Sequence, residues 1–302
     1  MSANKVLIIG SEGFIGKNIL TGLIKNGYQL WGADLIDIKP KDYQYCRIGR
    51  LQPEFDQLFS QQQFDYCINA AGSGSVPVSI KEPHRDFEAN VIDTFKLLNA
   101  IRLYNSTCKY IHFSSAAVYG NPTQLPVAET ALPAPVSPYG YHKWISEITC
   151  KEFMDLYKLP MVILRPFSAY GPGLRKQLIW DLYQKFKQGK VVHLHGTGNE
   201  TRDFIFIDDI VQVVITIIRY DEFKGAVLNI ASGKSNTIKE VSALYNKILG
   251  GAHEILFDNI ADQGNPLFWE ADISKINSLG FKPAFNLERG LQETIQWIKG
   301  NG

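Results

Sequence analysis

The segment that most constrains how this chain can fold is VLIIGSEGFIGKNIL, which lies close to the N-terminus. Residues Lys5 to Ile9 form a short apolar run, which predicts a buried parallel strand. Gly10, Gly13 and Gly16 then recur at three-residue spacing, and residues Phe14 to Lys25 show helical periodicity. A strand, a glycine-rich turn and a helix in this order are typical of the first unit of a nucleotide-binding α/β sheet.

The glycines suit this turn to a pyrophosphate. They allow a tight turn and a close approach of the backbone to the anion, and they let the helix pack closely on the strand. The helix N-terminus presents oriented N–H groups and a partial positive charge to the same anion. The spacing is GxxGxxG, whereas most dinucleotide-binding folds have GxGxxG, so a glycine-rich turn without a ligand is the alternative interpretation.

A carboxylate follows the second predicted strand. This strand runs from Gln29 to Ala33 and ends in Asp34, about 20 residues past the glycine turn. A carboxylate there can accept hydrogen bonds from both hydroxyls of an adenosine ribose, and it would repel a phosphate on that ribose. Asp34 therefore favours NAD over NADP. A solvated loop aspartate is the alternative, and Asp37 is a nearby competitor.

A candidate acid–base group lies in SPYGYHK, with FSSAAVYG upstream of it. Tyr139 and Lys143 are four residues apart, so both side chains point the same way if this segment opens a helix. A nearby cation favours the phenolate, which lowers the pKa of a tyrosine from its usual value of roughly 10. Such a tyrosine can take a proton from a sugar hydroxyl and return it. An exposed amphipathic helix is the alternative.

Strands and helices alternate through the first half of the chain, which predicts an α/β fold with a doubly wound parallel sheet. Strands are predicted at Lys5–Ile9, Gln29–Asp34, Tyr66–Ala70, Lys109–Ser114 and Met161–Arg165, and helices at Phe14–Lys25, Phe87–Tyr104 and Tyr139–Tyr157. Ligands of such sheets bind beyond the carboxyl ends of the strands. The sequence Asn69-Ala70-Ala71-Gly72 and the pair Ser114-Ser115 fall at that edge, as the glycine turn does.

The pattern becomes looser after Arg165, and we predict a smaller second domain there. Residues 1–165 and 202–232 are assigned to a nucleotide-binding domain, and residues 166–201 and 233–302 to a smaller α/β substrate-binding domain.

Composition limits the partners and the compartment. The 302 residues carry a formal net charge of +1, which gives no long-range attraction to nucleic acid or to an anionic membrane. No apolar run approaches the roughly 20 residues of a membrane span. Four scattered cysteines without a CxxC pair indicate reduced thiols of a cytoplasmic protein. His193 and His195 are expected on opposite sides of a strand, so no metal site is predicted.

Several motifs occur in one order along the chain: GSEGFIG, Asp34, NAAGSGSV, FSSAAVYG, YGYHK, RPFSAYGPG, RDFIFIDD and LNIASG. With these motifs the chain resembles the extended short-chain dehydrogenases/reductases, and more narrowly the NAD-dependent nucleotide-sugar epimerase/dehydratase family. The resemblance covers nearly the whole length and implies a Rossmann-like fold, NAD as cofactor and a nucleotide-sugar substrate. It also implies a homodimer, formed by the helices near Phe87–Tyr104 and Tyr139–Tyr157, and a place in polysaccharide biosynthesis.

The resemblance also implies roles for single residues. Tyr139 is the expected acid and base, Lys143 is expected to hold the nicotinamide ribose, and Ser115 is expected to hydrogen-bond the reacting sugar oxygen. The expected cofactor-binding residues, besides Lys143, are Gly10, Gly13, Phe14, Ile15, Gly16, Asp34, Ala70, Ala71, Gly72 and Asn90. The expected substrate-binding residues are Ser75, Ser168, Arg175 and Arg202. For Arg202, which would reach the diphosphate, a salt bridge to Asp203 or Asp209 is the alternative.

Three departures from the family pattern bear on the substrate. Ser168 follows RPF, where many relatives have asparagine, and Gln263 stands where many have a second diphosphate-binding arginine. The stretch CRIGRLQP lacks the aspartate that usually meets the adenine.

A fourth feature bears on the reaction. The 4,6-dehydratases place an acid pair directly after the active-site serine or threonine, and this chain has Ala116 and Ala117 there. Neither alanine can transfer a proton, so dehydration is disfavoured. We therefore predict epimerisation of a nucleotide-diphosphate sugar, at C4, through a transient keto sugar. Reduction or oxidation of a nucleotide sugar by the same three residues is the alternative, and a non-catalytic NAD-binding protein is a third possibility.

Overall fold

The first strand, glycine turn and helix form where the sequence predicts them. The computed structural model describes residues 4–50, 52–220, 223–260 and 266–301. The strands are β1 Lys5–Ile9, β2 Gln29–Asp34, β3 Gln44–Arg47, β4 Tyr66–Asn69, β5 Lys109–Phe113, β6 Met161–Pro166, β7 Ser168–Tyr170, β8 Val191–Leu194, β9 Thr201–Phe206, β10 Lys224–Ile230, β11 Ser235–Thr237 and β12 Glu254–Phe257. The helices are α1 Phe14–Ile24, α2 Phe55–Gln61, α3 Val76–Lys81, α4 Pro83–Phe87, α5 Asp93–Tyr104, α6 Pro138–Tyr157, α7 Gln177–Gln188, α8 Ile207–Tyr220, α9 Ile238–Ile248, α10 Ser274–Ser278 and α11 Leu287–Asn301.

The central sheet has seven strands in the order β3-β2-β1-β4-β5-β6-β10, and every neighbouring pair is parallel. The chain winds outward from β1 to β3 and then crosses back to β4 on the other side of β1. This reversal opens a crevice at the carboxyl ends of β1 and β4, which is where such sheets bind their ligands. The predicted Rossmann-like fold is confirmed.

Apolar residues of β1 are buried on both faces of the sheet. Val6 and Ile8 belong to the apolar core that includes residues of α1 and α8, whereas Leu7 and Ile9 belong to the core that includes residues of α2, α5 and α6. Successive side chains of a strand point to opposite faces, so an uninterrupted apolar strand requires helices on both sides. The doubly wound arrangement follows from this pattern.

The second half of the chain adds two small sheets. β7, β9 and β11 form a three-stranded sheet, and β8 pairs with β12. Within residues 202–232, β10 extends the central sheet and α8 packs on α1, but most of β9 lies in the three-stranded sheet. The domain boundaries derived from the sequence stay a prediction.

The structure differs from the predicted elements in several places. Strand β3 and helices α2, α3 and α4 were not predicted. The single helix expected over Phe87–Tyr104 is interrupted by a π-helical turn at Glu88–Ile92. The expectation that His193 and His195 face opposite sides is wrong, because residues two apart on an extended strand share a side, and both are exposed here. Within the described ranges, no helix is long and apolar enough to cross a membrane.

Candidate active site

The glycine turn brings three backbone segments together. Gly10 has a φ of 77°, and a Cβ on it would lie 2.7 Å from the backbone nitrogen of Ala71. A Cβ on Gly16 would lie 2.1 Å from the carbonyl oxygen of Gly10. Helix α1 begins after Gly13, which gives no side-chain cap to the first N–H groups. Any side chain at Gly10 or Gly16 would therefore separate the turn, the helix and the Ala70–Ala71 segment. Because the first N–H groups of α1 are uncapped, the start of the helix is suited to binding an anion.

Asp34 lies at the carboxyl end of β2, next to this turn. Its Oδ2 accepts a hydrogen bond from the Glu12 N–H at 2.9 Å, and its Oδ1 accepts one from the Leu35 N–H at 2.7 Å. The two bonds fix the carboxylate while each oxygen keeps a lone pair for a ribose hydroxyl. The sequence interpretation missed Glu12, whose carboxylate accepts a 2.5 Å hydrogen bond from the Tyr43 hydroxyl and pairs with Lys17 at 3.1 Å. Two carboxylates at this point disfavour a ribose phosphate.

The end of β4 leads directly to the centre of the crevice. Asn69 fixes the turn, since its Oδ1 accepts a hydrogen bond from the Ala71 N–H at 3.2 Å. At Gly72, whose φ is 125°, a Cβ would lie 2.4 Å from Asn90 Oδ1 and 3.4 Å from Lys143 Nζ. Asn90 Oδ1 is buried and has no hydrogen-bond partner among the residues that the structure describes. An orphaned acceptor beside a glycine cradle is a place where a ligand donor fits.

The three expected catalytic residues come from two elements. Helix α6 begins after Ser137, whose hydroxyl accepts a hydrogen bond from the Gly140 N–H at 3.2 Å, and Pro138 takes the first helical position. Tyr139 and Lys143 therefore lie one turn apart. Ser115 follows β5, and its hydroxyl acts on the neighbouring Tyr139 phenol, whose pKa it lowers. The Lys143 ammonium is buried and donates to the carbonyl oxygen of Phe113 at 2.9 Å.

Burial dominates the electrostatics of this group. Burial of the phenol raises the pKa of Tyr139 to about 12. The Ser115 hydroxyl acts to lower this pKa, and the negative charge of Asp86 acts to raise it further. Burial also lowers the pKa of Lys143 to about 8. The expected lowering of the Tyr139 pKa by Lys143 is therefore wrong for this structure, because desolvation of the phenol is the largest influence on it.

A buried polar network holds α6 against the sheet, and the sequence interpretation missed it. His112 Nε2 lies 2.9 Å from the Ser146 hydroxyl, and its Nδ1 lies 3.1 Å from the Tyr110 hydroxyl. Glu147 accepts two hydrogen bonds from Arg165, at 2.9 Å and 2.7 Å. No motif marks these residues, although the spacing of Glu147, four residues after Lys143 and eight after Tyr139, places it on the same side of the helix.

The expected substrate-binding residues are spread over several loops. The Ser75 hydroxyl caps α3, and Ser168 begins β7, next to the carboxyl end of β6. Arg175 contacts the Asn301 carbonyl oxygen, and its guanidinium lies over the rings of Trp180 and Trp297, which places it on α11. Neighbouring Lys176 instead approaches the crevice, since its Nζ lies 3.8 Å from where a Gly74 Cβ would be.

Arg202 lies over the ring of Trp269 and donates to the Thr201 carbonyl oxygen at 2.8 Å. Its neighbour Asp203 is fully buried and accepts four hydrogen bonds from the backbone and side chain of Ser232 and from the Gly233 and Ala271 N–H groups. Asp203 therefore anchors the strand that carries Arg202. Gln263, where the family pattern has an arginine, lies outside the described residues.

Comparison with known proteins shows which family has this fold and these motifs. Residues 6–231 match the NAD dependent epimerase/dehydratase family. A putative UDP-glucose 4-epimerase of Methanocaldococcus jannaschii is 28% identical and aligns over 98% of this chain and 99% of its own. The mouse dTDP-D-glucose 4,6-dehydratase is 25% identical over 99% of this chain and 90% of its own.

Among solved structures, the UDP-glucuronic acid 4-epimerase of Bacillus cereus, in complex with UDP-glucuronic acid and NAD, superimposes with a TM-score of 0.89. It is 28% identical, and the match covers 99% of this chain and all of that one. The fold, the glycine turn and the length of the match all support the same assignment. This chain belongs to the NAD dependent epimerase/dehydratase family.

Proposed function

We propose that this protein is an NAD-dependent 4-epimerase of a nucleotide-diphosphate sugar. The observation that carries the proposal is the placement of Ser115, after β5, beside Tyr139 in the first turn of α6, with Lys143 one turn away. The glycine turn, Asp34 and the orphaned Asn90 oxygen fit NAD at the same edge. Similarity to two 4-epimerases over nearly the whole chain supports the choice of reaction.

The residues of the site have separate tasks. Tyr139 accepts the proton of the C4 hydroxyl and later returns it, and the Ser115 hydroxyl hydrogen-bonds the same sugar oxygen. Bound NAD supplies the reversible hydride acceptor that an epimerase needs. The Lys143 ammonium would hold the nicotinamide ribose, and the Ser115 hydroxyl works against the desolvation that raises the Tyr139 pKa.

The buried alanines argue against dehydration. Ala116 and Ala117 form the 3₁₀ turn after Ser115, and both are buried in an apolar cluster with Val118 and Trp269. An acid pair is therefore absent from the positions at which a 4,6-dehydratase carries it. A one-directional reductase or dehydrogenase would use the same three residues, and the experiment below separates it from an epimerase.

Product analysis tests the proposal. The protein is screened by thermal shift against UDP-, dTDP-, GDP- and CDP-sugars, where a true ligand at 100 times its dissociation constant adds about 2.7 kcal/mol of stability. Each hit is then incubated with NAD and analysed for its 4-epimer. We expect interconversion of the two epimers without a steady change in NADH absorbance. Formation of NADH in proportion to an oxidised product would replace the epimerase with a dehydrogenase, and consumption of added NADH with a 4-keto sugar would replace it with a reductase.

We also propose a homodimer built on α5 and α6. Both helices expose large apolar side chains, among them Phe95, Leu103, Ile148 and Leu156, which are 46%, 50%, 52% and 68% exposed. A pair of neighbouring helices with this character suits an isologous interface with a second copy. Sedimentation at micromolar concentration is expected to show the dimer, and a monomer alone would contradict it. A cytoplasmic location and a role in polysaccharide biosynthesis complete the proposal.

A further inference from the structure

A buried carboxylate lies next to the candidate active site and has no part in the mechanism above. The side chain of Asp86, in α4, is 0% exposed, and its Oδ2 lies 2.6 Å from Nδ1 of His142. Its Oδ1 has no hydrogen-bond partner among the described residues. Burying a carboxylate is expensive unless it is fully paired, so a half-paired one indicates a task other than stability.

The pair lies beside the catalytic residues, since its histidine shares α6 with two of them. His142 stands on α6 between Tyr139 and Lys143, and its ring packs edge-on against Phe87 at 5.2 Å. The carbonyl oxygen of Asp86 accepts a hydrogen bond from Asn90 Nδ2 at 3.1 Å. The other side-chain atom of that asparagine, Oδ1, faces Gly72 near Lys143. The segment that carries Asp86 is thus fixed against the crevice.

Lys143 needs a negative neighbour because it is buried. The ionisable groups that act on it are Asp86 from α4 and Cys150 and Glu147 from α6, and Lys143 in turn acts on His112 of β5. Burial raises the pKa of the Cys150 thiol, and burial lowers the pKa of His112, so neither carries a charge at neutral pH. Glu147 is engaged by the Arg165 fork and by the Ser114 hydroxyl. Asp86 is the carboxylate with an uncommitted oxygen.

We propose, on the basis of the proposed function, that the buried Asp86–His142 pair is a positioning pair that keeps Lys143 charged. His142 Nδ1, 2.6 Å from Oδ2, fixes the carboxylate in place, and the field of Asp86 favours the Lys143 ammonium over the neutral amine. The negative charge of Asp86 also raises the pKa of Tyr139. Asp86 therefore affects both titrations that limit the active pH range, that of the Lys143 ammonium and that of the Tyr139 phenol.

The test measures Lys143 directly and needs no substrate. Lysines are labelled with ¹³C at Cε, the Lys143 signal is assigned with Lys143→Arg, and its NMR titration is followed in the native protein and in Asp86→Asn. We expect the Asp86→Asn midpoint to fall by about 0.5 to 1 pH unit, the effect of one charge at moderate distance inside a protein. Glu88→Gln is the matched control, because it removes one charge from the exposed side of the same segment. A Lys143 midpoint unchanged in Asp86→Asn overturns the proposal.

Two histidine variants keep the test decisive if Asp86→Asn does not fold. His142→Gln retains a donor, so its Lys143 midpoint is expected to stay near the native value. His142→Leu leaves the carboxylate unpaired, which favours its protonated form, and the midpoint is expected to fall as in Asp86→Asn. Equal midpoints in the two variants overturn the proposal.

Activity gives the second readout. In Asp86→Asn, both limbs of the pH profile of kcat are expected to move to lower pH, with the KM for the sugar changed less than twofold. A protein that shows the lysine shift but no 4-epimerase activity would defeat the proposed function and leave the pair intact. A protein that is an active epimerase without the lysine shift would defeat the pair alone.

Discussion

Substitution of Glu147 by glutamine removes the negative charge from a deeply buried ion pair that joins α6 to the central sheet. The Glu147 and Arg165 side chains are 8% and 6% exposed, and two hydrogen bonds of 2.9 Å and 2.7 Å join them in a fork. Arg165 also donates to the Tyr119 hydroxyl at 2.8 Å and lies over its ring. The pair and the Ser114 hydroxyl bond together connect α6 to β5 and β6.

The magnitude follows from the charge that the substitution leaves behind. Removing one partner of a buried ion pair destabilises a protein by about 3 to 5 kcal/mol, because the other charge stays in the interior without a counterion. Glutamine keeps the shape and one acceptor oxygen, so we expect Glu147→Gln to lower the free energy of unfolding by about 3 kcal/mol. Urea denaturation followed by circular dichroism measures this value.

The control lies on the same helix. Lys151 and Asp155 form a 2.7 Å ion pair in which both side chains are largely exposed, and Asp155→Asn is expected to change stability by less than about 0.5 kcal/mol. In the double variant Glu147→Leu with Arg165→Met, apolar packing replaces both charges, so its loss is expected to be smaller than the sum of the single losses. A Glu147→Gln loss equal to that of Asp155→Asn would refute the reasoning.

Three further predictions concern the site. Gly16→Ala should abolish NAD binding in a calorimetric titration while the protein stays folded, because the added Cβ would clash with the Gly10 carbonyl oxygen. A variant that binds NAD with native affinity would show that the turn does not hold the cofactor. Asp34→Ala should reduce the preference for NAD over NADP in a competition titration, and equal affinity in the native protein would remove Asp34 from this role. The kcat should rise with pH up to about 8 and then level off, because above that pH each gain in tyrosinate is matched by a loss of the Lys143 ammonium, and a kcat that keeps rising tenfold per pH unit to pH 10 would contradict this assignment.

Much of the fold was predictable because local patterns determine it. The apolar run Lys5–Ile9, the glycines after it and the helical period of α1 each indicated the same unit, and the parallel sheet followed from repetition of that unit. Strand β3 was missed because Gln44–Arg47 is only partly buried at a sheet edge and shows no apolar run. The break at Glu88–Ile92 was missed because a π-helical turn has no sequence pattern comparable to a proline.

The candidate site was predictable in its members and less so in its electrostatics. The sequence placed Tyr139 and Lys143 one helical turn apart and Ser115 at the end of a strand, and the family resemblance implied that the three form one site. The raised Tyr139 pKa could not be predicted, since desolvation depends on packing from several elements. The partnership of Asp86 with His142 joins residues 56 apart in the chain, and only the packing of α4 on α6 creates it.

The fate of the hydrogen at C4 tests the central claim most directly. The substrate found in the nucleotide-sugar screen is prepared with deuterium at C4 and converted by the enzyme with a catalytic amount of NAD. We predict that the 4-epimer retains the deuterium, that no net NADH accumulates, and that Tyr139→Phe lowers turnover by orders of magnitude with little loss of binding. Conversion of the added NAD to NADH, with no 4-epimer formed, would contradict the account.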